Sequence, residues 1–212
     1  YAMKKVSEYQ EYIVEEEKFL NDRPVGHLPL RQTKPLIENM KGLDTLFGNN
    51  LNGRIGVLIA GSAGGGVQSA AQQLAQAGIL AGLHSTMKGE YPITVGTGFS
   101  IAEVILSKDP IHYTGLEKSD VALIITEDGF KKVKDLLAPQ TKVWIDDKAE
   151  IESNYTQKGF SKAGGKKGAA LSAIAYWLNE SGVFSPDALL KVVENHKYAT
   201  ELQEAINSYK KV

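Results

Sequence analysis

The sequence predicts an α/β protein of three layers, in which helices pack on both faces of a central sheet. Two observations indicate this class. From residue 53 onward, short aliphatic runs alternate with segments of helical periodicity, as expected when helices connect the strands of a sheet. The first of these units, residues 53–82, joins one strand to one helix through a cluster of glycines. We therefore expect residues 53–82 to organise the rest of the domain.

The 53–82 unit has three pieces. Residues 53–60 are rich in aliphatic and β-branched side chains and predict a buried strand that ends at the glycine-rich stretch 61–66. Residues 67–82 predict a helix, because their alanine, leucine and valine residues recur at helical spacing. No Asp, Glu, Lys or Arg occurs between residues 55 and 87. An uncharged run of this length in a soluble chain indicates a core or an interface.

The glycine turn presents backbone N–H groups and the positive end of a helix dipole to an anion or a polar ligand. A nucleotide P-loop is disfavoured, because Val67 and Gln68 stand where lysine and serine or threonine are required. A dinucleotide fingerprint is disfavoured, because Ala63 replaces its second glycine and residues 86–88 supply no ribose-binding carboxylate. The third interpretation is a Rossmann-like turn that contacts another ligand or another subunit.

The other elements follow along the chain. Strands are predicted at 83–87, 99–106, 120–125 and 141–146, and helices at 3–20, 35–47, 128–137, 169–179, from 185 onward and at 198–210. Ser185 and Pro186 illustrate the helix signals, since serine caps well and proline suits a first turn. Residues 1–52 are predicted to form a helical N-terminal extension and residues 53–212 the main domain.

Several polar side chains have two interpretations. Glu127 and Asp128 are either an acidic catalytic pair or carboxylates that stabilise the first turn of a helix. Asp146 and Asp147, at a strand end, are a possible Mg²⁺ site, although the sequence shows no third ligand. His84 is interpreted as an ordinary polar residue of a strand rather than a catalyst or a ligand.

Residues 158–168 contain four lysines and four glycines ahead of a predicted helix. We predict a loop for this segment. Lysines near a helix N-terminus suit a phosphate or the nucleotide end of coenzyme A. The alternative is a solvated loop without a ligand.

The composition limits the function classes. The chain has 212 residues and a formal net charge of −1, which gives no electrostatic basis for binding nucleic acid or an anionic membrane. It has no cysteine, so it cannot hold an iron–sulfur cluster on its own thiolates. No apolar run is long enough to span a membrane and the start shows no apolar signal core, so we expect a cytoplasmic protein.

Three motifs resemble those of a known family. Residues 61–67, Gly-Ser-Ala-Gly-Gly-Gly-Val, are similar to the opening motif of the gamma subunit of 2-oxoacid:ferredoxin oxidoreductases, the pyruvate and 2-ketoacid enzymes. That motif is usually Gly-x-Gly-Gly-Gln-Gly-Val, so this chain departs from it at Ala63 and Gly65. Tyr91 with residues 98–107, and the helix 168–175 with its following segment, resemble the family in the same order.

The resemblance implies a Rossmann-like domain, similar to domain III of pyruvate:ferredoxin oxidoreductase, with a helical N-terminal arm. It implies a gamma subunit of a multi-subunit 2-oxoacid:ferredoxin oxidoreductase, an enzyme that decarboxylates a 2-oxoacid oxidatively to an acyl-CoA and reduces ferredoxin. In such a complex this chain has a structural role, helps to shape the coenzyme A site and is not catalytic alone. The alternative is a stand-alone nucleotide- or CoA-binding Rossmann-like protein without redox activity.

The same resemblance implies cofactors and partners. Thiamine diphosphate, Mg²⁺, iron–sulfur clusters and coenzyme A are expected on or with other subunits, and none on this chain alone. The expected partners are alpha, beta and delta-type subunits, with ferredoxin reached through the complex. We assign no catalytic and no metal-binding residue. The candidate cofactor-binding residues are Gly61, Ser62, Ala63, Gly64, Gly65, Gly66, Val67, Gln68, Thr97 and Gly98.

Overall fold

A six-stranded mixed sheet forms the middle of the domain. The computed structural model describes residues 44–90, 98–151, 155–196 and 199–209. The chain divides into two units, 1–42 and 43–212, and all of the described residues belong to the second. The strands are β1 (Arg54–Ser62), β2 (His84–Glu90), β3 (Phe99–Ser107), β4 (Val121–Ile124), β5 (Lys142–Asp146) and β6 (Thr156–Lys158). Their order across the sheet is β2-β3-β1-β4-β5-β6.

Strands β1, β4, β5 and β6 are parallel, whereas β3 runs antiparallel to both β1 and β2. The C-terminal ends of the parallel strands therefore meet at one edge of the sheet, where ligands bind in open α/β folds. The described α-helices are α1 (Val67–Leu80), α2 (Glu127–Val133), α3 (Phe160–Ser181), α4 (Asp187–Val193) and α5 (Ala199–Asn207). Short 3₁₀ helices cover Lys134–Leu136 and Asp147–Ala149.

Apolar residues pack on both faces of the sheet. On β1, Val57 and Ile59 point to a core that includes residues of α1, α3 and α4. The alternate residues Leu58 and Ala60 point to a second core that includes Val133 of α2. Because successive side chains of a strand point to opposite faces, the sheet packs against helices on both sides. This arrangement confirms the predicted three-layer α/β fold. Among the described residues, no helix is long and apolar enough to cross a membrane.

Some of the elements predicted from the sequence have different bounds in the structure. The segment 158–168, predicted as a loop, is largely helical, because α3 begins at Phe160 and is interrupted only where Gly165 leaves helical geometry (φ 64°, ψ −173°). Helix α2 stops at Val133 and continues as a 3₁₀ turn, four residues short of the predicted end. Residues 44–47 are not helical, and the rest of the predicted helix 35–47 and the whole of 3–20 lie outside the described residues.

Residues 44–52 contact the domain. Asn49 pairs with Phe184 in an isolated β-bridge, and the side chain of Leu51 is buried in the larger core. The backbone N–H groups of Leu46 and Phe47 both donate to the carbonyl oxygen of Leu80. The division into an extension (1–52) and a main domain (53–212) stays a prediction.

Gly129 brings helix α2 against the backbone of β1. A Cβ atom at this position would lie 2.4 Å from the backbone nitrogen of Gly61 and 2.6 Å from the carbonyl carbon of Ala60. Both of these are main-chain atoms, which cannot move aside as the end of a flexible side chain can. A larger residue at position 129 must therefore displace the helix. The end of β1 and the start of α2 are thereby held close together.

We expect Gly129→Ala to lower the free energy of unfolding by about 1–3 kcal/mol, the usual cost of overpacking, even though alanine is the better helix former. Urea denaturation of the isolated chain measures the change. Gly48→Ala is the matched control, because a Cβ at Gly48 meets nothing within 4 Å. Equal stabilities of the two variants would contradict the close contact.

Candidate functional site

A cavity of about 360 Å³ lies at the C-terminal ends of β1, β4 and β5. This volume is within the range of small-molecule sites. Residues of the glycine turn line one side of it, and residues at the start of α3 line the other. The lining residues are Gly61, Ser62, Gly65, Val67, Ile125, Thr126, Lys148, Ser161, Gly165 and Lys166.

The glycine turn forms one wall through backbone contacts. The N–H group of Gly65 donates to the carbonyl oxygen of Ser62 at 3.1 Å, and that of Ala63 donates to Gly98 at 2.8 Å. Gly64 and Gly66 both adopt left-handed conformations, with φ of 75° and 79°, which glycine accepts without the cost that a Cβ imposes. The turn can therefore reverse direction tightly at the end of β1.

Helix α1 begins at this wall without a capping side chain among the described residues. Its N-cap is Gly66, whose carbonyl oxygen accepts the first helical hydrogen bond from Ala70 at 2.9 Å. The first turn of α1 also contains no acidic residue. Uncapped N–H groups at a helix start favour an anion.

A cluster of hydroxyl and carboxylate groups connects the turn to helix α2. The hydroxyl of Ser62 lies 3.0 Å from the hydroxyl of Thr126 and 3.1 Å from Oδ2 of Asp128. Thr126 is the N-cap of α2 and accepts a hydrogen bond from Gly129. Glu127 pairs instead with Lys131 at 2.7 Å. Glu127 and Asp128 both lie in the first turn of α2, as the helix-capping interpretation requires.

Asp146 holds the opposite wall of the cavity in place through Lys148 and Ser161, which line it. Its side chain is only 1% exposed. One carboxylate oxygen accepts from the backbone N–H of Lys148 at 2.9 Å and the other accepts from the N–H of Ser161. Hydrogen bonds from two amides compensate the burial of a charged carboxylate. Asp146 thus holds the turn after β5 and the first turn of α3 side by side.

Asp147 forms an ion pair with Lys162. Its Oδ2 lies 2.6 Å from Nζ of Lys162, and this hydrogen bond and charge raise the pKa of the Lys162 ammonium group. Burial, together with the charges of Asp146 and Asp147, raises the pKa of the Tyr209 hydroxyl nearby. The part of the chain that the structure describes contains no group of three or more His, Cys, Asp or Glu residues suited to a metal ion.

The four lysines of residues 158–168 have different surroundings. Lys166 lines the cavity, whereas Lys162 pairs with Asp147. The ammonium group of Lys158 lies 5.1 Å from the centre of the Tyr176 ring, and the backbone carbonyl of Lys167 faces Gly66. The cavity gains a second cation from Lys148. Sequence reasoning missed Lys148, although its place just after a predicted parallel strand was a usable signal.

The structure brings four of the predicted cofactor-binding residues to the cavity: Gly61, Ser62, Gly65 and Val67. Gly64 is exposed beside it. The amide nitrogen of Gln68 faces strand β3, where it lies 2.7 Å from the carbonyl oxygen of Ile101. Thr97 lies outside the described residues. His84 is exposed at the start of β2.

Comparison with known proteins places the chain in a family. The family model for pyruvate ferredoxin/flavodoxin oxidoreductase matches residues 56–196. The chain belongs to this family. The match contains the glycine turn, the cavity and helices α1 to α4, and it confirms the resemblance inferred from the sequence motifs. Comparison with curated protein sequences gives no match.

Three solved structures share the fold. The gamma subunit of keto/oxoacid ferredoxin oxidoreductase from Geobacter sulfurreducens is 20% identical over 76% of this chain and 100% of that chain, with a TM-score of 0.59. Pyruvate oxidoreductase subunit PORC from Thermotoga maritima is 18% identical, with a TM-score of 0.56 over 73% of this chain and 92% of that one. A 2-oxoglutarate:ferredoxin oxidoreductase from Magnetococcus marinus, with 2-oxoglutarate, coenzyme A and succinyl-CoA bound, is 18% identical, with a TM-score of 0.63 over 74% of this chain and 30% of that one.

Two glycines of the turn differ in their surroundings. A Cβ at Gly66 would lie 2.2 Å from the carbonyl oxygen of Lys167, whereas a Cβ at Gly64 meets nothing within 4 Å. Because both have a similar positive φ, the cost of left-handed geometry should be similar in alanine variants of each.

We therefore expect Gly66→Ala to lower the free energy of unfolding by about 1–3 kcal/mol more than Gly64→Ala does. The difference in stability between the two variants measures the steric clash with α3 separately from the cost of the left-handed backbone, which both variants share. Thermal and urea unfolding of the isolated variants measure it. If Gly64→Ala lowers the free energy of unfolding as much as Gly66→Ala does, the close approach of Lys167 does not restrict the residue at position 66.

Proposed function

We propose that this chain is the gamma subunit of a multi-subunit 2-oxoacid:ferredoxin oxidoreductase. The observation that carries the proposal is the family match over residues 56–196, which includes the glycine turn and the cavity beside it. The proposed reaction of the complex is the oxidative decarboxylation of a 2-oxoacid to an acyl-CoA, with ferredoxin as the electron acceptor. The stand-alone binding protein is the less favoured alternative, because the family match over residues 56–196 supports the subunit and no observation of similar extent supports a protein that acts alone.

The chain's own residues support a non-catalytic role within the complex. The sequence has no cysteine, so the iron–sulfur clusters that the reaction requires must lie on other chains. The hydroxyl of Ser62 lies near the Thr126 hydroxyl and the Asp128 carboxylate, and the residues that line the described cavity include no histidine to activate it as a nucleophile. The proposed partners are alpha, beta and delta-type subunits, which carry thiamine diphosphate, Mg²⁺ and the clusters.

The cavity suits one anionic end of coenzyme A. Lys148 and Lys166 supply positive charge, Ser62 and Ser161 lie in its lining, and the start of α1 is uncapped among the described residues. Phosphate groups are favoured by lysine ammonium groups and by helix N-termini. The Magnetococcus marinus structure contains bound coenzyme A, which makes this ligand the natural test for the cavity. Coenzyme A supplies the thiol that accepts the acyl group.

Co-expression with the catalytic chains tests the proposal. The complex should catalyse viologen reduction that depends on both a 2-oxoacid and coenzyme A, and the isolated chain should catalyse none, because it lacks cluster ligands. Subunits that carry the clusters should copurify with this chain in a fixed ratio. Turnover by the isolated chain, or a fully active complex that excludes it, would overturn the proposal.

The double substitution Lys148→Gln with Lys166→Gln should raise the KM of the complex for coenzyme A about tenfold, because two charge-assisted contacts are lost, while kcat changes little. Lys191→Gln is the control, since Lys191 of α4 pairs with Glu194, just after that helix. Steady-state kinetics with coenzyme A as the varied substrate distinguish the two. An unchanged KM in the double variant would remove coenzyme A from this cavity but leave the subunit assignment standing.

A further inference from the structure

Helix α1 exposes a face that carries no charge. Val67–Leu80 contains no Asp, Glu, Lys or Arg along 14 residues, a length of about 21 Å. Its inner face is buried in the larger core. Its outer residues recur at spacings of three and four, which places them in one stripe. This stripe, the α1 face, consists of Ser69, Gln72, Gln76 and Ile79, all exposed.

The other described helices show that the α1 face is unusual for this protein. Every one of them has acidic or basic residues at exposed positions, as surface helices normally do. Examples are Glu127 and Lys131 on α2, Lys162 on α3, Lys191 on α4 and Glu204 on α5. The chain as a whole has 24 basic and 25 acidic residues. The absence of charge is therefore a property of α1 and not of the composition.

Exposed apolar side chains lie at one end of the α1 face, and the candidate cavity lies at the other. At the C-terminal end, Ile79 is 37% exposed and Leu46, whose N–H group bonds to the carbonyl of Leu80, is 54% exposed. At the N-terminal end lie the exposed Gly64 and the candidate cavity. The centres of protein interfaces are depleted in charge, because a charge left unpaired there loses its hydration without compensation.

We propose that the α1 face is the surface on which this chain docks to a catalytic subunit of the same oxidoreductase, through an uncharged surface of that partner. The inference rests on the proposed function, under which the redox centres must lie on other chains. Docking along α1 brings a partner surface next to the glycine turn, so the cavity at its N-terminal end would be completed by the partner. A neutral partner surface is the matching chemistry, since the α1 face offers no ion pair to a charged one.

The double substitution Gln72→Glu with Gln76→Glu tests the surface with little change of shape. Glutamate is nearly isosteric with glutamine and equally compatible with a helix, so the melting temperature of the isolated chain should not change. In co-expression with the catalytic subunits, affinity for the complex should fall about tenfold or more, because two carboxylates would be buried without partners. Gln140→Glu, an exposed position away from α1, should assemble as the wild type does.

The outcomes separate the two proposals. If the wild-type chain does not assemble with the catalytic subunits, the proposed function fails. If the wild type and the Gln72→Glu, Gln76→Glu variant assemble equally well, the subunit assignment stands and the docking surface is wrong. Sizing of the wild-type chain alone adds a third arm: a homodimer that the double variant separates would assign the α1 face to a second copy of this chain and overturn the proposed partner.

Discussion

The candidate site depends on backbone atoms approaching one another more closely than side chains would permit. Gly66 lets the glycine turn approach the carbonyl of Lys167, and Gly129 lets α2 lie on the backbone of β1 at Gly61. These two contacts bring α2 and α3, which lie on opposite faces of the sheet, to the same strand end. The cavity lies at this strand end, and its lining includes Thr126 at the start of α2 and Ser161, Gly165 and Lys166 of α3.

The second wall depends on one buried carboxylate. Asp146 is the last residue of β5 and is only 1% exposed, so its charge would be costly there without partners. Its two backbone partners, Lys148 and Ser161, both line the cavity. The same interactions that make the burial of Asp146 tolerable therefore position one cation of the site and the start of α3. In the sequence, Asp146 and Asp147 together suggested a possible Mg²⁺ site, whereas in the structure both carboxylate oxygens of Asp146 accept hydrogen bonds from backbone N–H groups.

The sequence predicted the parts of the fold that depend on local patterns. The strand, glycine turn and helix of residues 53–82 follow from periodicity and a turn signal, and so do the buried strands. It did not predict that α3 begins at Phe160, because the glycines and lysines of that segment resemble a loop and its first turn is held by Asp146, a residue 15 positions away. The role of Gln68 was hidden for the same reason, since its partners on β3 are about 30 residues away. For the site, local patterns located the turn. Lys148 follows a predicted strand and could have been found by that signal, whereas Ser161 is placed at the cavity by its hydrogen bond to Asp146.

Gly65 is a departure from the family motif at the wall of the candidate cavity. The family usually has glutamine here, with a long polar side chain, whereas Gly65 is buried and a Cβ would lie 3.0 Å from the carbonyl oxygen of Ser62. That oxygen already accepts the N–H of Gly65 itself, so the tight turn leaves little room for a side chain. Without the glutamine, this wall offers backbone groups and the hydroxyl of Ser62, and the positive charge comes from Lys148 and Lys166 on the other side. The anion binding proposed for this cavity therefore depends on the charges of Lys148 and Lys166 and on backbone N–H groups, and not on a side chain at position 65.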